Sequence, residues 1–236
     1  MTTETPAPTT VSLFSSLAVQ AALRDVVLPG FTASTGIQVD VTFDPTTVHL
    51  RNIADGARPD VLTGVSASFE ALIADGIVDG SSVVPIARSG MGIAVGPGQP
   101  APDISSTEAL VRALLDARSV AYSRTGASGI FFAGLIERLG IAEQVNARAT
   151  VVEKGFTAEA IVDGRADLAI QQLSELMFVP EAKIVGPLPD DVQQYTEFSA
   201  ALGAHAAQSP AAAALLDALG PDSAGEAYVR SGLALP

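Results

Sequence analysis

The sequence predicts an α/β fold of two lobes, each a mainly parallel sheet covered by helices. Short apolar stretches suited to β-strands alternate with stretches of helical spacing, the order that places helices on both faces of a parallel sheet. The alternation occurs twice, before and after a glycine-rich apolar stretch at residues 83–98. The 236 residues are enough for two lobes of roughly 100 residues, each with its own core.

The first half of the chain predicts three strand–helix units. Ile37, Val39, Val41 and Phe43 alternate with polar neighbours, which is typical of a half-buried strand. The helices have apolar residues three or four apart and begin near Ser, Thr or Pro, which helix starts prefer. In chain order we expect strand 10–14, helix 15–31, strand 35–44, helix 45–56, strand 59–65 and helix 66–78.

The second half repeats the alternation after residues 83–98, which we expect to cross into the second lobe. Its predicted elements are helix 106–117, strand 119–123, helix 128–140, strand 149–153, helix 157–164 and strand 166–172. Residues 183–189 and 192–204 are predicted to be extended, and helices 209–220 and 223–232 close the chain. Residues 1–9 are polar and are predicted to form a disordered tail.

Composition excludes several classes of function. The net charge of −13 argues against nucleic acid or anionic lipid as partners, since both need a basic surface. The chain has no cysteine, which excludes disulfides, thiolate catalysis and cysteine-ligated metals. With only His49 and His205 a histidine-rich metal site cannot form, so we expect no metal and no cofactor.

The start of the sequence and the length of its apolar runs predict where the protein is located in the cell. No apolar run approaches the roughly 20 residues that cross a bilayer, so no membrane insertion is expected. The start of the sequence has neither the basic region nor the apolar region of a secretory signal. We therefore expect a cytoplasmic protein, or a periplasmic or extracellular one if a leader was removed.

Hydroxyl residues follow the first two predicted strands, where parallel sheets bind ligands. Ser15 and Ser16 follow the first strand, and Thr46 and Thr47 follow the second, at helix starts whose free N–H groups attract anions. Each could instead simply cap its helix. His49 lies just inside the second helix and is a candidate proton donor or base, although a lone histidine there is more often structural.

The loop "SRTGASG" at residues 123–129 is the richest candidate site. Its two glycines allow the backbone to approach a ligand, and Thr125, Gly126 and Ser128 offer hydroxyl and N–H groups. Arg124 offers a planar fork that matches a carboxylate. The loop lacks the Gly-Lys-Ser/Thr ending of a phosphate-binding P-loop and does not fit the Gly-x-Ser-x-Gly pattern of a hydrolase nucleophile.

Two further turns of the second half carry candidate ligand contacts. Gly155 and Thr157 stand at a helix start that follows a strand, which repeats the arrangement of the other loops. Gln171 and Gln172 stand at a strand end, where their amides can hydrogen-bond a polar ligand. Each of these turns is therefore a candidate contact for a polar or anionic ligand.

Several stretches resemble the type II periplasmic-binding-protein fold, in the group related to the molybdate-binding proteins of ABC importers. The resemblance runs from Val11 through nearly the whole chain and rests on the order and spacing of many short motifs. They are "VSLFSSLAVQAAL", "FDPTTVHLRNIADGARPDVLTG", "GASGIFFAGLIERLGIAEQVNA" and "GRADLAIQQLSELMFVPEAKIVGPLPDDVQQYTEFSAAL".

The resemblance implies two lobes joined by two crossing segments, with the ligand in the cleft between them. The crossings would be residues 86–92 and about 195–200. The first lobe would be residues 10–87 plus 197–236, and the second lobe residues 88–196. The family's ligand-contact loops fall on the candidate turns given above.

Two departures from the family favour an organic acid over a tetrahedral oxyanion. Ala18 stands where the molybdate-binding proteins have a serine before the first helix, and the Gln171–Gln172 pair replaces a tyrosine. The remaining donors suit an organic carboxylate, held by Arg124 and by helix N-termini.

The resemblance leaves three functions open. The first is binding of a small anion, with an ABC permease as partner if the protein is exported. The second is a cofactor-independent isomerase, since one subgroup resembles aconitate isomerase; His49 would be the base and Arg124 the carboxylate clamp. The other residues that hold the ligand would be Ser15, Ser16, Thr46, Thr47 and Ser128. The third is a ligand-sensing module that needs a partner chain.

Overall fold

The computed structural model describes residues 9–153 and 155–236, so most of the predicted tail at residues 1–9 lies outside the described residues. The strands are β1 (Thr10–Ser15), β2 (Gln38–Phe43), β3 (Val61–Val65), β4 (Val84–Val95), β5 (Val120–Ser123), β6 (Thr150–Val152), β7 (Leu168–Gln172), β8 (Lys183–Pro187) and β9 (Tyr195–Leu202). Each strand coincides with a stretch that the sequence predicts to be extended.

The helices also follow the predicted order. They are α1 (Gln20–Ala22), α2 (Leu28–Thr35), α3 (Thr46–Ala54), α4 (Phe69–Ala74), α5 (Thr107–Asp116), α6 (Ala127–Arg138), α7 (Ala142–Asn146), α8 (Ala158–Val162), α9 (Leu173–Leu176), α10 (Pro210–Leu219) and α11 (Pro221–Arg230). The first predicted helix begins with a 3₁₀ turn at Leu17–Val19, and a π-helical turn at Leu23–Val27 joins α1 to α2. The sequence did not predict α7 and α9, because four or five residues show little periodicity.

The strands form one continuous order, β2-β1-β3-β9-β4-β7-β5-β6, with β8 paired to β4. β1 pairs in parallel with β2 and β3, and β5 pairs in parallel with β6 and β7. The pairs of β4 and β9 are antiparallel. The predicted two-lobed α/β fold is confirmed, and antiparallel strands join its two parallel parts.

The long strand β4 passes from one lobe to the other. Its residues up to Gly90 pair with β9, whereas Met91 and the residues after it pair with β7 and β8. We call the sheet of β2, β1, β3 and β9 with its helices the first lobe, and that of β7, β5, β6 and β8 the second lobe. Because β4 continues through the changeover, the exact bounds at 87/88 and 196/197 stay a prediction.

Each sheet is packed on both faces. In the first lobe, β1, α10 and α11 share one apolar cluster that includes Leu13, Leu215 and Tyr228, while Phe69 and Leu72 cover the opposite face. In the second lobe, α5 and α6 cover one face and the alanine-rich α8 covers the other. Each helix within residues 9–153 and 155–236 is too short or too polar to span a membrane.

The turn from β5 into α6 is tight because the Ser123 hydroxyl is used within it. The N–H groups of Thr125 and Gly126 donate to Ser123 Oγ at 3.2 and 3.3 Å. The turn brings the Ser123 carbonyl against Gly129, where an added Cβ would overlap the carbonyl oxygen. Gly129 is therefore required by the backbone of its own turn, not by a ligand.

We expect Gly129→Ala to lower the free energy of unfolding by about 3 kcal/mol or more, because the backbone of Ser123 has to move. Gly126→Ala is the matched control: its Cβ would lie 3.8 Å from the nearest side-chain atoms, which is ordinary contact. Chemical denaturation of the two variants checks this. Equal stabilities for the two variants would contradict the packing described for the turn.

Candidate functional site

A cavity lies between the lobes where strand ends meet helix starts; we call it the interlobe cavity. Its empty volume is about 440 Å³, part of it open to solvent. The space in it that can hold the centre of a water-sized sphere is only about 30 Å³, so the lobes lie close together around it. The first lobe lines it with Ser16, Leu17, Pro45, Thr46, Val65 and Phe198. The second lobe lines it with Ser123, Gly126, Ala127, Ser128, Gly155, Gln171, Gln172 and Glu175.

Two helices, one from each lobe, begin at the interlobe cavity. The residues before α3 and α6 are Pro45 and Gly126, which have no side chain that could cap the first N–H groups. These N–H groups have no partner within the helix and carry its positive dipole end. Two uncapped helix starts facing one cavity make it suited to an anion.

Hydroxyl groups add donors to these backbone groups. The Ser16 side chain is 3% exposed, and its Oγ has no hydrogen-bond partner among the described residues. Thr46 Oγ1 accepts a hydrogen bond from the Val65 N–H at 3.2 Å, which leaves its own proton to donate. Ser128 is buried in the wall of the cavity. A buried polar group without a partner is costly, so the Ser16 hydroxyl indicates a place for a ligand atom.

The amide of Gln171 is fixed by the turn before α8. Its Oε1 accepts from the Thr157 N–H at 2.8 Å and from the Thr157 hydroxyl at 3.0 Å. Its Nε2 then donates to the Gly155 carbonyl at 3.2 Å. Thr157 therefore holds the Gln171 amide in place and orients it toward the cavity.

Gln172 contributes an acceptor. Its Nε2 donates to Thr196 Oγ1 at 2.7 Å, while its Oε1 is buried without a hydrogen-bond partner among the described residues. The interlobe cavity thus offers one acceptor besides its donors. A ligand with a hydroxyl or a protonated carboxyl can satisfy it.

Glu175, in α9, is the one titratable side chain among the described residues that line the cavity. Burial is the largest influence and raises the pKa of Glu175 to about 7, although hydrogen bonds from the Gln172 backbone and the Gln171 side chain oppose the rise. Near neutral pH the carboxyl therefore exchanges readily between its protonated and charged forms.

The two lobes touch across the mouth of the cavity. The Thr47 hydroxyl in α3 donates to the Thr125 carbonyl at 2.6 Å, so the two helix starts are held face to face. The Arg24 guanidinium lies 4.6 Å from the ring centroid of Phe178, which follows α9. These contacts describe a closed arrangement of the lobes.

The sequence profile of the bacterial extracellular solute-binding proteins matches residues 11–234. The chain belongs to this family. A relative from a Pseudomonas species, aconitate isomerase, is 33% identical over 231 residues, which are 95% of this chain and 87% of the relative.

Solved structures of the same fold resemble this solute-binding protein over nearly all of its length. The periplasmic molybdate-binding protein of Azotobacter vinelandii is similar with a TM-score of 0.77 and 19% identity, covering 96% of this chain and 99% of that one. PEB3 of Campylobacter jejuni with bound L-phospholactate is similar with a TM-score of 0.69 and 17% identity, covering 96% of this chain and 100% of that one. At these identities the likeness concerns the fold, and it confirms the type II periplasmic-binding-protein fold.

The structure brings just over half of the predicted site residues to the interlobe cavity of this solute-binding protein. Seven of the predicted residues line it: Ser16, Thr46, Gly126, Ser128, Gly155, Gln171 and Gln172. Thr47 and Thr125 form the contact between the lobes, and Thr157 supports Gln171. No ligand is present, so their part in binding stays a prediction.

Three predicted residues lie away from the cavity lining. Ser15 is fully buried, and its Oγ accepts from Thr63 Oγ1 at 3.0 Å. His49 is also fully buried, with Nε2 2.9 Å from the Ser15 carbonyl and its ring stacked on Phe14 at 4.8 Å. The Arg124 side chain is exposed to solvent and does not line the cavity. The geometry thus does not favour His49 as the base or Arg124 as the clamp.

The sequence analysis missed Glu175 and the part of Ser123 in the cavity wall. Glu175 lies three residues after Gln172, the residue before α9, at the spacing of a helix capping box in which the acid bonds back to the first backbone N–H. That spacing is visible in the sequence. Its burial in the wall of a ligand cavity follows only from the fold.

The buried carboxyl predicts a pH dependence of stability. Because the pKa of Glu175 is higher in the folded chain than in the unfolded one, its stabilising effect is complete below pH 4.5 and is lost as the pH rises to about 7. This loss in the free energy of unfolding amounts to up to about 3 kcal/mol, and we expect it to be absent in Glu175→Gln. Chemical denaturation at pH 5 and pH 8 measures it.

Glu159→Gln is the matched control, since Glu159 is exposed on α8 and its removal leaves the buried carboxyl in place. It should keep the pH dependence of the unchanged protein. Equal pH dependence in the unchanged protein and Glu175→Gln would contradict the raised pKa.

Proposed function

We propose that this solute-binding protein binds a small organic carboxylate in the interlobe cavity. The observation that carries the proposal is the meeting of two uncapped helix starts with the buried Ser16 hydroxyl, which has no hydrogen-bond partner among the described residues. Backbone N–H groups and hydroxyls hold a desolvated anion without a cation, because the helix dipole and the hydrogen bonds replace its hydration.

The remaining lining favours an organic ligand over an inorganic oxyanion. Leu17, Val65 and Phe198 form apolar walls, which suit a carbon skeleton. Gln172 Oε1 adds an acceptor, which a fully ionised oxyanion cannot satisfy. The bound L-phospholactate of the PEB3 structure supports the proposal, since it places an organic anion in a protein of this fold.

Ligand-induced thermal shifts test this function. We expect citrate, aconitate or related carboxylates to raise the unfolding temperature more than molybdate or sulfate does. We expect Ser16→Ala to weaken carboxylate binding about tenfold by calorimetry, because one buried donor to a charged group is lost. Ser105→Ala, at an exposed serine of the second lobe, should bind as the unchanged protein does.

A stronger shift with molybdate than with any carboxylate would contradict the proposed ligand class. Unchanged carboxylate affinity in Ser16→Ala would contradict the assigned position of the ligand. If the protein serves import, its partner is an ABC permease; a catalytic role needs no such partner.

The second candidate is isomerisation of an unsaturated organic acid by movement of an allylic proton. The aconitate isomerase relative favours it, at 33% identity over almost all of this chain. The reaction needs a base, a site that holds the carboxylates, and donors that stabilise the negative charge formed when the proton leaves. It needs no electron acceptor, since the substrate and the product have the same number of double bonds.

Exchange of carbon-bound hydrogen tests the second candidate. We expect the protein to exchange the allylic hydrogens of aconitate in deuterated water and to interconvert its double-bond isomers, both followed by NMR. A thermal shift with aconitate but no exchange and no isomer would contradict catalysis and leave binding alone.

A further inference from the structure

We propose that Glu175 is the catalytic base that moves the allylic proton in the interlobe cavity. The proposal rests on the second candidate function, and it replaces His49 with a residue that lines the cavity. Three features of the described residues support it: the place of the carboxyl, its surroundings and the donors opposite it.

The first feature is the position of Glu175 at the start of α9. The helix packs against β4, β7 and the Leu17–Val19 turn, so it lies where both lobes meet. The Glu175 side chain is 9% exposed and lies in the wall of the cavity beside Gln171 and Gln172. A base has to lie within hydrogen-bond reach of the proton that it removes, and a ligand in this cavity lies beside Glu175.

The second feature is that no positive charge among the described residues lies beside the Glu175 carboxyl. The described lining residues include no lysine, arginine or histidine. On the strands packed against α9 the charged residues are Arg88 in β4 and Lys183 in β8, and both are exposed. Arg24 lies over the Phe178 ring, and it too is exposed. A carboxylate that is desolvated and unpaired is a far stronger base than one in water.

The third feature is the group of donors that face the ligand. The N–H groups at the starts of α3 and α6, with the Ser16 hydroxyl, are suited to hold the ligand carboxylates. Negative charge that spreads onto these carboxylates when the proton leaves is stabilised by the same fixed dipoles. The cavity therefore combines a base with a charge acceptor.

The step balances within the ligand and Glu175. The Glu175 carboxylate removes a proton from the saturated carbon next to the double bond: a C–H bond breaks, an O–H bond forms, and the electron pair spreads through the double bond to a carboxylate. The protonated carboxyl then returns a proton to the far carbon of the allyl system. There an O–H bond breaks and a C–H bond forms, so the double bond has shifted and Glu175 is again a carboxylate.

His49 does not fit this role. Its side chain is completely buried, its Nε2 lies 2.9 Å from the Ser15 carbonyl, and its ring is stacked on Phe14. A proton on that nitrogen is donated to the backbone of β1 and not to the cavity. The geometry makes His49 a residue that fixes the start of the first lobe.

Glu175→Gln tests the proposal, because it keeps the size of the side chain and removes the base. With aconitate, we expect hydrogen exchange by this variant to fall at least about 100-fold, while its binding by calorimetry is as tight or tighter, because the charge beside the bound anion is removed. Glu175→Asp should keep part of the activity. Exchange in the unchanged protein should rise with pH through about 7, and this step should be absent in Glu175→Gln. Glu159→Gln should match the unchanged protein throughout.

The outcomes separate this proposal from the functions on which it rests. Exchange in Glu175→Gln within tenfold of the unchanged protein overturns the role of Glu175 and leaves isomerisation standing. Binding of aconitate by the unchanged protein with no exchange and no double-bond isomer overturns both the role of Glu175 and isomerisation, but not carboxylate binding. If the unchanged protein shows neither binding nor exchange, the proposed function is overturned and, with it, this inference.

Discussion

The central constraint on the proposed site is that the described residues of its lining include no cation to hold an anion. A desolvated negative charge needs donors on several sides, and here they come from the backbone. This explains why Pro45 and Gly126, which cannot cap a helix, precede α3 and α6 at the interlobe cavity. It also explains why the buried Ser16 hydroxyl is left unpartnered among the described residues.

The strand arrangement supplies these donors from two lobes. Parallel strands end at one edge of a sheet, so the helix starts that follow them gather there. β4 belongs to both sheets and pairs with β9, which places the two edges opposite each other. The Thr47–Thr125 hydrogen bond, beside the cavity, and the Arg24–Phe178 contact then join the two lobes. Opening of the lobes is expected to break both contacts. Binding of a ligand has to supply the free energy that is lost with them.

Most of the fold could be predicted from the sequence, because alternating strands and helices leave strong periodic patterns. The short helices α7 and α9 could not, since each is too short to show a period. The loops of the site were predicted from small polar residues after strands, a pattern that depends only on local order. Seven of these residues line the cavity, including Ser16, Thr46 and Gln171.

What the sequence could not supply is the direction and burial of each side chain. His49 and Arg124 attracted attention as titratable or charged residues near a turn, yet one points into the core and the other into solvent. Glu175 stands in a plain stretch after β7 and is identified only by its burial in the cavity wall. Chemical type predicts a candidate, but three-dimensional packing decides its environment.

The presence of Glu175 in an anion cavity bears on the choice between binding and catalysis. A carboxylate beside a bound anion repels it, and the repulsion is strong where water is excluded. For binding alone, the amide of a glutamine would donate to the ligand without that repulsion. In a proton transfer the same repulsion is useful, because it raises the affinity of Glu175 for the proton of the ligand. The carboxyl therefore weakens a site that only binds and strengthens one that moves a proton.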